Sequence, residues 1–412
     1  MMNPLPLVLA TLRRNPITTV TFMALIAAAV GLGVAITAQE RALKRGSAHA
    51  ADRFDLVIAA PGSQTDAMLK SVFLRTGTIE LLKPDVVARV FAEPNAEIVA
   101  PIAFGDSHDG APIVGSVPDF VTHLSGGALS EGRVFADHEE AVVGHASPLK
   151  IGDTFHPTHG EGRMGEEHHD DDDHDEDHAH EHGVELTVVG RMAPTGSPWD
   201  TAIVVPVELT WELHNLPTGH EKGSEQVGPP YLSERLPGVP ALVVKPDSVA
   251  AAYGLRARYK AQDSTAFFPA EVLVELYELL GDMRSLMNVM ALSTQTLVII
   301  AILAGVMVLL RLYRVQFSIL RALGAPRGFI FLTIWSYVAL IVTVGAMAGL
   351  ALGMGLAGIV STAFTAETGI ALQASLGGPE LALVAAIIVI GMAVATVPAA
   401  LLYRKPVIDA LR

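Results

Sequence analysis

Four long stretches of this chain carry no charged side chain: 15–39, 285–310, 328–366 and 381–403. Each is long enough to cross a hydrocarbon core, which takes about 20 apolar residues of helix. Within lipid the backbone must satisfy its own hydrogen bonds, so such stretches have to be helical. Only 17% of the 412 residues are charged, against about a quarter in a soluble domain. The chain is therefore expected to be an integral membrane protein with one N-terminal and three C-terminal spans.

The first stretch is read as a retained helix. A signal peptide would have a shorter apolar region and a small-residue cleavage site before a polar start. The third stretch is long enough for one tilted helix or a tight hairpin, and the basic residues choose between them. Short cytoplasmic loops collect Lys and Arg. Arg13 and Arg14 precede span one, Arg311, Arg314, Arg321 and Arg327 lie between spans two and three, and Arg404, Lys405 and Arg412 follow span four. The segment 361–380 has neither Lys nor Arg. A single third span places every basic cluster on the cytoplasmic side, with both termini there and 361–380 outside. Gly345, Gly349, Gly353 and Gly355 in that span sit at or near the four-residue spacing that allows close helix contact.

Residues 40–284 then form an extracytoplasmic domain, with 1–39 before it and 285–412 after it. Short apolar runs bounded by Gly, Pro, Asp or Asn read as strands: "FDLVIAA", "AEIVAPIAF", "APIVGSV", "EAVVGH", "VELTVVGRM", "TAIVVPVEL" and "PALVVKP". "TDAMLKSVFLRTG", "DVVARVFAE" and "SVAAAYGLRARYKA" read as helices. The run 270–300 keeps helical spacing into span two, as a stalk continuous with that span or as two helices broken at Gly281. The sequence contains no cysteine, which excludes disulfides, iron–sulfur clusters and thiolate zinc sites. A formal charge of −15 is the wrong sign for a nucleic-acid partner.

The densest chemical signal is 165–183, "GEEHHDDDDHDEDHAHEHG", which holds His168, His169, His174, His178, His180 and His182 amid ten carboxylates. Imidazole with carboxylate suits Zn²⁺, and also Ni²⁺ or Cu²⁺. Like-charge crowding predicts a disordered loop in which many ligand sets share a metal loosely. A solvated acidic loop with no metal role is the plain alternative. His156 and His159 flank the run and join it as candidate ligands. His214 and His220 form a sparser second pair, and His108 and His123 are left unassigned. All 15 histidines lie between His49 and His220, in the expected outer domain.

Two motifs carry a family resemblance. "RLYRVQFSILRALGAPRGFIFLTIW", from Arg311 to Trp335, is basic and has helical apolar spacing, with Gly324 and Pro326 as stop signals. Alone it fits either a helix docked in a partner's groove or one lying on the lipid surface. The C-terminal "VPAALLYRKPVIDALR" is the second motif, and "EGRVF", "EAVVGHASPLKIGD" and "VVGRM" add outer-domain patterns. Together with the order of spans, these resemble the FtsX/MacB-type ABC transporter permeases. The resemblance implies four transmembrane helices plus an α+β extracytoplasmic domain of MacB-like periplasmic core type, in an inner (plasma) membrane, as a homodimer.

It further implies that 311–327 couples to a cytoplasmic ABC ATPase through Arg314, Gln316, Phe317, Leu320, Arg321, Leu323 and Gly324. Gln316 stands where the family carries glutamate, so the resemblance does not carry a charge-dependent contact over to that side chain. No G-x-x-x-x-G-K-[ST] occurs, so ATP is expected on a separate subunit and this chain is expected to be a non-catalytic permease. Expected partners also include membrane lipids and a periplasmic adaptor or metal-binding protein. The apolar stretches hold no Asp, Glu, Lys, Arg or His, whereas an ion pathway usually needs ionisable groups in the membrane. The histidine run is thus read as zinc handling outside the membrane. Two alternatives remain: an ATP-driven regulator of a cell-wall partner, or export of lipoproteins or small molecules with the run incidental. A cation-diffusion type of transporter and a membrane enzyme fit less well, for want of intramembrane ligands and of a nucleophile–base pair.

Overall fold

The structure, a computed structural model, describes residues 3–78, 80–159, 180–181, 183–279 and 324–404, with 289, 292, 293, 296, 299, 300, 319 and 320 between the last two blocks. Most of the second apolar stretch, the end of the stalk past Leu279 and most of the histidine run lie outside the described residues. Two compact units are present. One comprises 45–279 with 364–371, and the other comprises 1–44, 280–363 and 372–412.

The first unit is built on a mixed sheet. In chain order its strands are β1 (Leu56–Ala59), β2 (Ala96–His108), β3 (Ala111–Ser116), β4 (Glu131–Gly132), β5 (Glu140–Val143), β6 (Thr154–Phe155), β7 (Thr158–His159), β8 (His180–Glu181), β9 (Leu186–Arg191), β10 (Ile203–Pro206), β11 (Ala241–Pro246) and β12 (Thr265–Phe267). Their spatial order is β12-β1-β11-β2-β3-β10-β5-β9-β4, with β6 on β9 and β7 between β2 and β8. Pairs β3·β10 and β5·β9 are parallel, and the remaining pairs are antiparallel.

The central strands read as near-continuous apolar runs because both faces are covered. On one face Val114, Val142 and Val204 join a core with Phe54, Phe120 and Trp199. On the other Ile113, Ala141, Val143, Ile203 and Val205 pack with Phe155, Leu186 and Val188. Alternate residues serve alternate faces, as the two-residue period of a strand requires.

The short helices of this unit are α3 (Gln64–Ser71), α4 (Pro84–Phe91), α5 (Pro118–Leu124), α6 (Val207–Leu213), α7 (Val249–Tyr259) and α8 (Pro269–Leu279). The three helices expected from sequence appear as α3, α4 and α7. "TAIVVPVEL" departs from the expectation: its strand ends at Pro206, and Val207 opens α6. Proline has no N–H to continue a ladder, and five of the seven residues of "VELTWEL" are buried, with α6 lying against β2 and β3. At Gly115, an added Cβ would stand 2.3 Å from Thr210 Oγ1, so the close seat of α6 on β3 needs glycine there.

The second unit holds α1 (Leu5–Arg14), most of α2 (Pro16–Ala51), most of α9 (Arg327–Thr368) and α10 (Gly378–Arg404). Helices α2, α9 and α10 are long and apolar enough to cross a membrane. The third apolar stretch is one helix of 42 residues, as the distribution of basic residues predicts. Helix α2 runs twelve residues past the expected span end at Gln39, because "ERALKRGSAHAA" is rich in helix formers. Helix α1 was not expected from the sequence.

The α2–α9 contact is a seam of small residues. A Cβ on Gly349 would lie 2.7 Å from Ala27 O, and one on Gly353 would lie 2.5 Å from Gly31 O and 2.8 Å from Val34 Cβ. Gly345 is less tight, 3.0 Å from Ile26 Cβ. Gly355 faces open space, so of the four glycines singled out by spacing it is the one outside the seam.

Candidate functional site

Of the expected coupling residues, Leu320 and Gly324 are described. Arg314, Gln316, Phe317, Arg321 and Leu323 lie outside the described residues. Ile319 and Leu320 are helical, and Gly324 has φ +94°. The Ala325 N–H donates to Leu320 O at 3.0 Å, which is the long-range bond of a Schellman cap with glycine in the left-handed position. Pro326 follows, and the Phe329 N–H donates to Pro326 O at 3.0 Å as α9 begins. The sequence "GAPR" therefore forms a capped turn ahead of α9, at the stop that Gly324 and Pro326 predict.

At the other end of the apolar helices, Arg41 Nη1 donates to Glu380 Oε2 at 2.6 Å, and Glu380 is fully buried. Arg41 Nη2 also donates to Ser375 O. The Gly377 N–H reaches Glu380 Oε2 at 2.9 Å, so the same carboxylate caps the start of α10. Oε1 of Glu380 has no hydrogen-bond partner among the described residues. A Cβ at Gly377 would fall 2.0 Å from Arg41 Nη1, so any side chain there would displace the guanidinium from this position. It was not foreseen from the sequence. The available signal was an arginine two residues after one apolar run and a glutamate one residue before another.

The outer-domain motifs do local structural jobs. Arg191 of "VVGRM" donates through Nη1 to the carbonyls of Gly144 (3.2 Å), His145 (3.1 Å) and Ser147 (2.9 Å), and through Nη2 to Leu149, binding the "GHASPL" loop. Arg133 of "EGRVF" makes a two-pronged pair with Glu140 of "EAVVGH", its Nη1 2.7 Å from Oε2. That bond holds the Glu140 carboxyl below its ordinary value of 4.5. Beneath α6, Glu208 is fully buried and its Oε1 accepts from Tyr231 Oη (2.7 Å) and Gly228 N (2.8 Å). Burial first, and then the charge of Glu208, push the Tyr231 phenol well above its ordinary value.

The metal candidates divide. His168, His169, His174, His178 and His182 lie outside the described residues. His159 and His180 are described as the ends from which the run leaves and to which it returns: they are directly opposed in the β7–β8 ladder. On the other side His159 is opposite Asp106 of β2. His156 is exposed, with Nδ1 3.0 Å from Val184 O. His108 has Nδ1 3.2 Å from His156 O. His220 is a buried residue, with Nε2 3.5 Å from Glu208 Oε1, and His214 Nδ1 lies 2.8 Å from Thr210 O. His123 Nε2 lies 3.1 Å from Arg53 O. Those three are accounted for by local packing. Among the described residues, no three His, Asp or Glu side chains gather as a metal set.

Compared with known families, residues 288–407 match the model described as FtsX-like permease C-terminal. The matched segment includes the glycine-capped turn and both α9 and α10. No curated protein matches the chain.

Proposed function

We propose that this chain is the permease subunit of an FtsX/MacB-type ABC transporter, coupling ATP hydrolysis on a separate cytoplasmic subunit to work outside the membrane. The observation that carries the reading is the match over 288–407, a segment that holds the basic sequence 311–327 and the capped turn at Gly324. A basic helix fixed at its end by a Schellman cap is suited to seat in a groove of a soluble partner. Leu320, Arg321 and Leu323, with Arg314, Gln316 and Phe317 before them in sequence, are the residues proposed to make that contact. Both termini are cytoplasmic in this reading, and the sheet unit is the outer domain. The fact that 364–371 belongs to the sheet unit supports it, since the loop between α9 and α10 then shares a side with that domain.

The work done outside is handling of divalent metal, Zn²⁺ foremost. Histidine enrichment confined to 49–220 supports this, as solubility alone needs only the carboxylates. A homodimer, and a metal-binding protein as outer partner, complete the proposal. The decisive experiment reconstitutes the chain with its ATPase in lipid and measures ATP turnover. Arg321→Glu combined with Leu320→Asp should cut stimulated turnover at least tenfold while leaving the membrane assembly folded. Unchanged stimulation, or full cellular function in a strain lacking the ATPase, would overturn the reading.

A further inference from the structure

Helix α1 lies outside the matched segment and has no part in the proposed coupling. It ends at Arg14, and Asn15 alone separates it from α2, with φ −129° and ψ 67°, outside the helical region. From Pro16 to Arg41, α2 runs about 37 Å at 1.5 Å per residue, with no ionisable side chain before Glu40. The hydrocarbon core is ~30 Å thick, so a span that fills it leaves α1 at its boundary. Val8 of α1 is 1% exposed and shares an apolar cluster with Ile330 and Ile334 in the first turns of α9. Helix α1 is thus seated on the end of the bundle where α9 begins.

Only part of its surface is covered there. At about 100° per residue, Leu5 and Leu9 stand beside the Val8–Leu12 stripe, and Arg13, Ala10 and Arg14 follow round the helix. Leu5 is 54% and Leu9 48% exposed, and Ala10, Arg13 and Arg14 are exposed as well. Neither arginine makes a hydrogen bond or ion pair among the described residues. Two half-exposed leucines one turn apart, with two cations beside them, give a helix that is apolar on one flank and positive on the next. That division suits the boundary between acyl chains and headgroups. Acyl chains around the entry of α2 reach Leu5 and Leu9 without a further partner, and the long guanidinium side chains extend outward to headgroup phosphates.

We propose that α1 lies in the lipid–water interface with Leu5 and Leu9 among the acyl chains, and that Arg13 and Arg14 bind the headgroups of anionic phospholipids. This requires only that α2 crosses the membrane, and it rests on neither the ATPase nor the metal reading. Anionic lipids are concentrated in the cytoplasmic leaflet, the side on which the permease reading puts the N-terminus. The end of the bundle that carries the Gly324 turn is then held at a fixed depth by the lipid itself.

The chain has no cysteine, so one introduced cysteine gives one spin-labelled site. Leu9→Cys, Ala10→Cys and Val20→Cys are labelled one at a time in the full chain, in nanodiscs of phosphatidylcholine and phosphatidylglycerol. Collision of the label with oxygen, which concentrates in lipid, is compared with collision with a water-soluble nickel chelate. Val20, 62% exposed on α2, is the lipid reference. The Leu9 label should favour oxygen as the Val20 label does, and the Ala10 label should favour nickel, although Leu9 and Ala10 are neighbours in sequence. A Leu9 label that favours nickel, or that neither reagent reaches, would overturn the placement, because water or protein then covers that flank. A Val20 label that favours nickel would remove the α2 span and the placement of α1 with it. If the Leu9 label disturbs folding, Leu5→Cys on the same flank replaces it. The lipid class is read with a fluorophore on Leu9→Cys, quenched by phosphatidylglycerol or phosphatidylcholine carrying a nitroxide on the acyl chain. A basic residue near an anionic surface is worth about fivefold in binding. Phosphatidylglycerol should therefore be favoured by about fivefold or more, and Arg13→Gln with Arg14→Gln should bring the two lipids near parity while helical circular dichroism holds. Equal quenching by both lipids without those substitutions, or a preference that survives them, would overturn the headgroup recognition.

Discussion

Gly353 and Gly355 look alike in sequence and are two residues apart in one helix, yet the structure assigns them opposite responses to a methyl group. At Gly353 an added Cβ would sit 2.5 Å from Gly31 O, and ordinary contact begins at 3.4 Å. Helices α2 and α9 would have to part locally by up to about 0.9 Å, enough to forfeit a quarter to a half of the dispersion energy of each seam contact. Overpacking of this kind costs about 1–3 kcal/mol. At Gly355 the methyl meets nothing within 4 Å, and alanine there gains up to about 1 kcal/mol of helix propensity. Because both sites share a helix, the propensity gain cancels in the difference between the two variants. The difference should therefore equal the packing cost alone, about 1–3 kcal/mol, with Gly353→Ala the less stable. Equilibrium unfolding of the full chain in mixed micelles, followed by helical circular dichroism, measures it. A difference under about 0.5 kcal/mol, or of reversed sign, would show that the helices do not meet along this seam, because exposed-site changes alone fall within that range.

Three further outcomes are expected. Arg41→Met strands the buried Glu380 carboxylate and should cost about 3–5 kcal/mol, while Arg41→Met with Glu380→Leu should recover most of it, as a double-mutant cycle in the same unfolding assay would read. Glu140→Gln should lower the stability of the sheet unit by about 1 kcal/mol at neutral pH, for Arg133 is half exposed and its pair is discounted accordingly. The folded carboxyl titrates below 4.5, so the stabilisation is present above that pH and fades as pH falls through the lowered value; a gap that persists well into acid would contradict the pairing. Tyr231→Phe withdraws one donor from buried Glu208 and should cost about 1–3 kcal/mol in denaturant unfolding, whereas a neutral result would mean that water replaces the phenol.

Features governed by local periodicity were legible in the sequence. Apolar length found α2, α9 and α10, and the spread of Arg and Lys found α9 as one helix. The stop at Gly324 followed from a residue type that tolerates positive φ. The strands of the sheet unit were largely found, but "VEL" after Pro206 was not recognised as helical because its apolar pattern suits either element over so short a run. What pairing across long separations decides was hidden. Arg41 and Glu380 are 339 positions apart, and nothing local marks them as partners. The opposition of Asp106, His159 and His180 depends on register between three strands, which composition does not encode. Composition marks the run itself and says nothing of the strand register at 158–159 and 180–181. Spacing likewise included Gly355 in the seam, since spacing near four residues does not say which side of a helix meets a neighbour.

The way the chain divides bears on the order in which the sheet unit is completed. It passes between the two compact units four times, at 44/45, 279/280, 363/364 and 371/372. The short visit 364–371 is fastened within the sheet unit: the Ala371 N–H donates to Gly196 O at 3.1 Å, and Gly369 lies so near Pro198 that a Cβ would stand 2.9 Å from its Cα. The sheet unit therefore receives its last piece from beyond Leu279, so synthesis has to reach residue 371 before that unit can be completed.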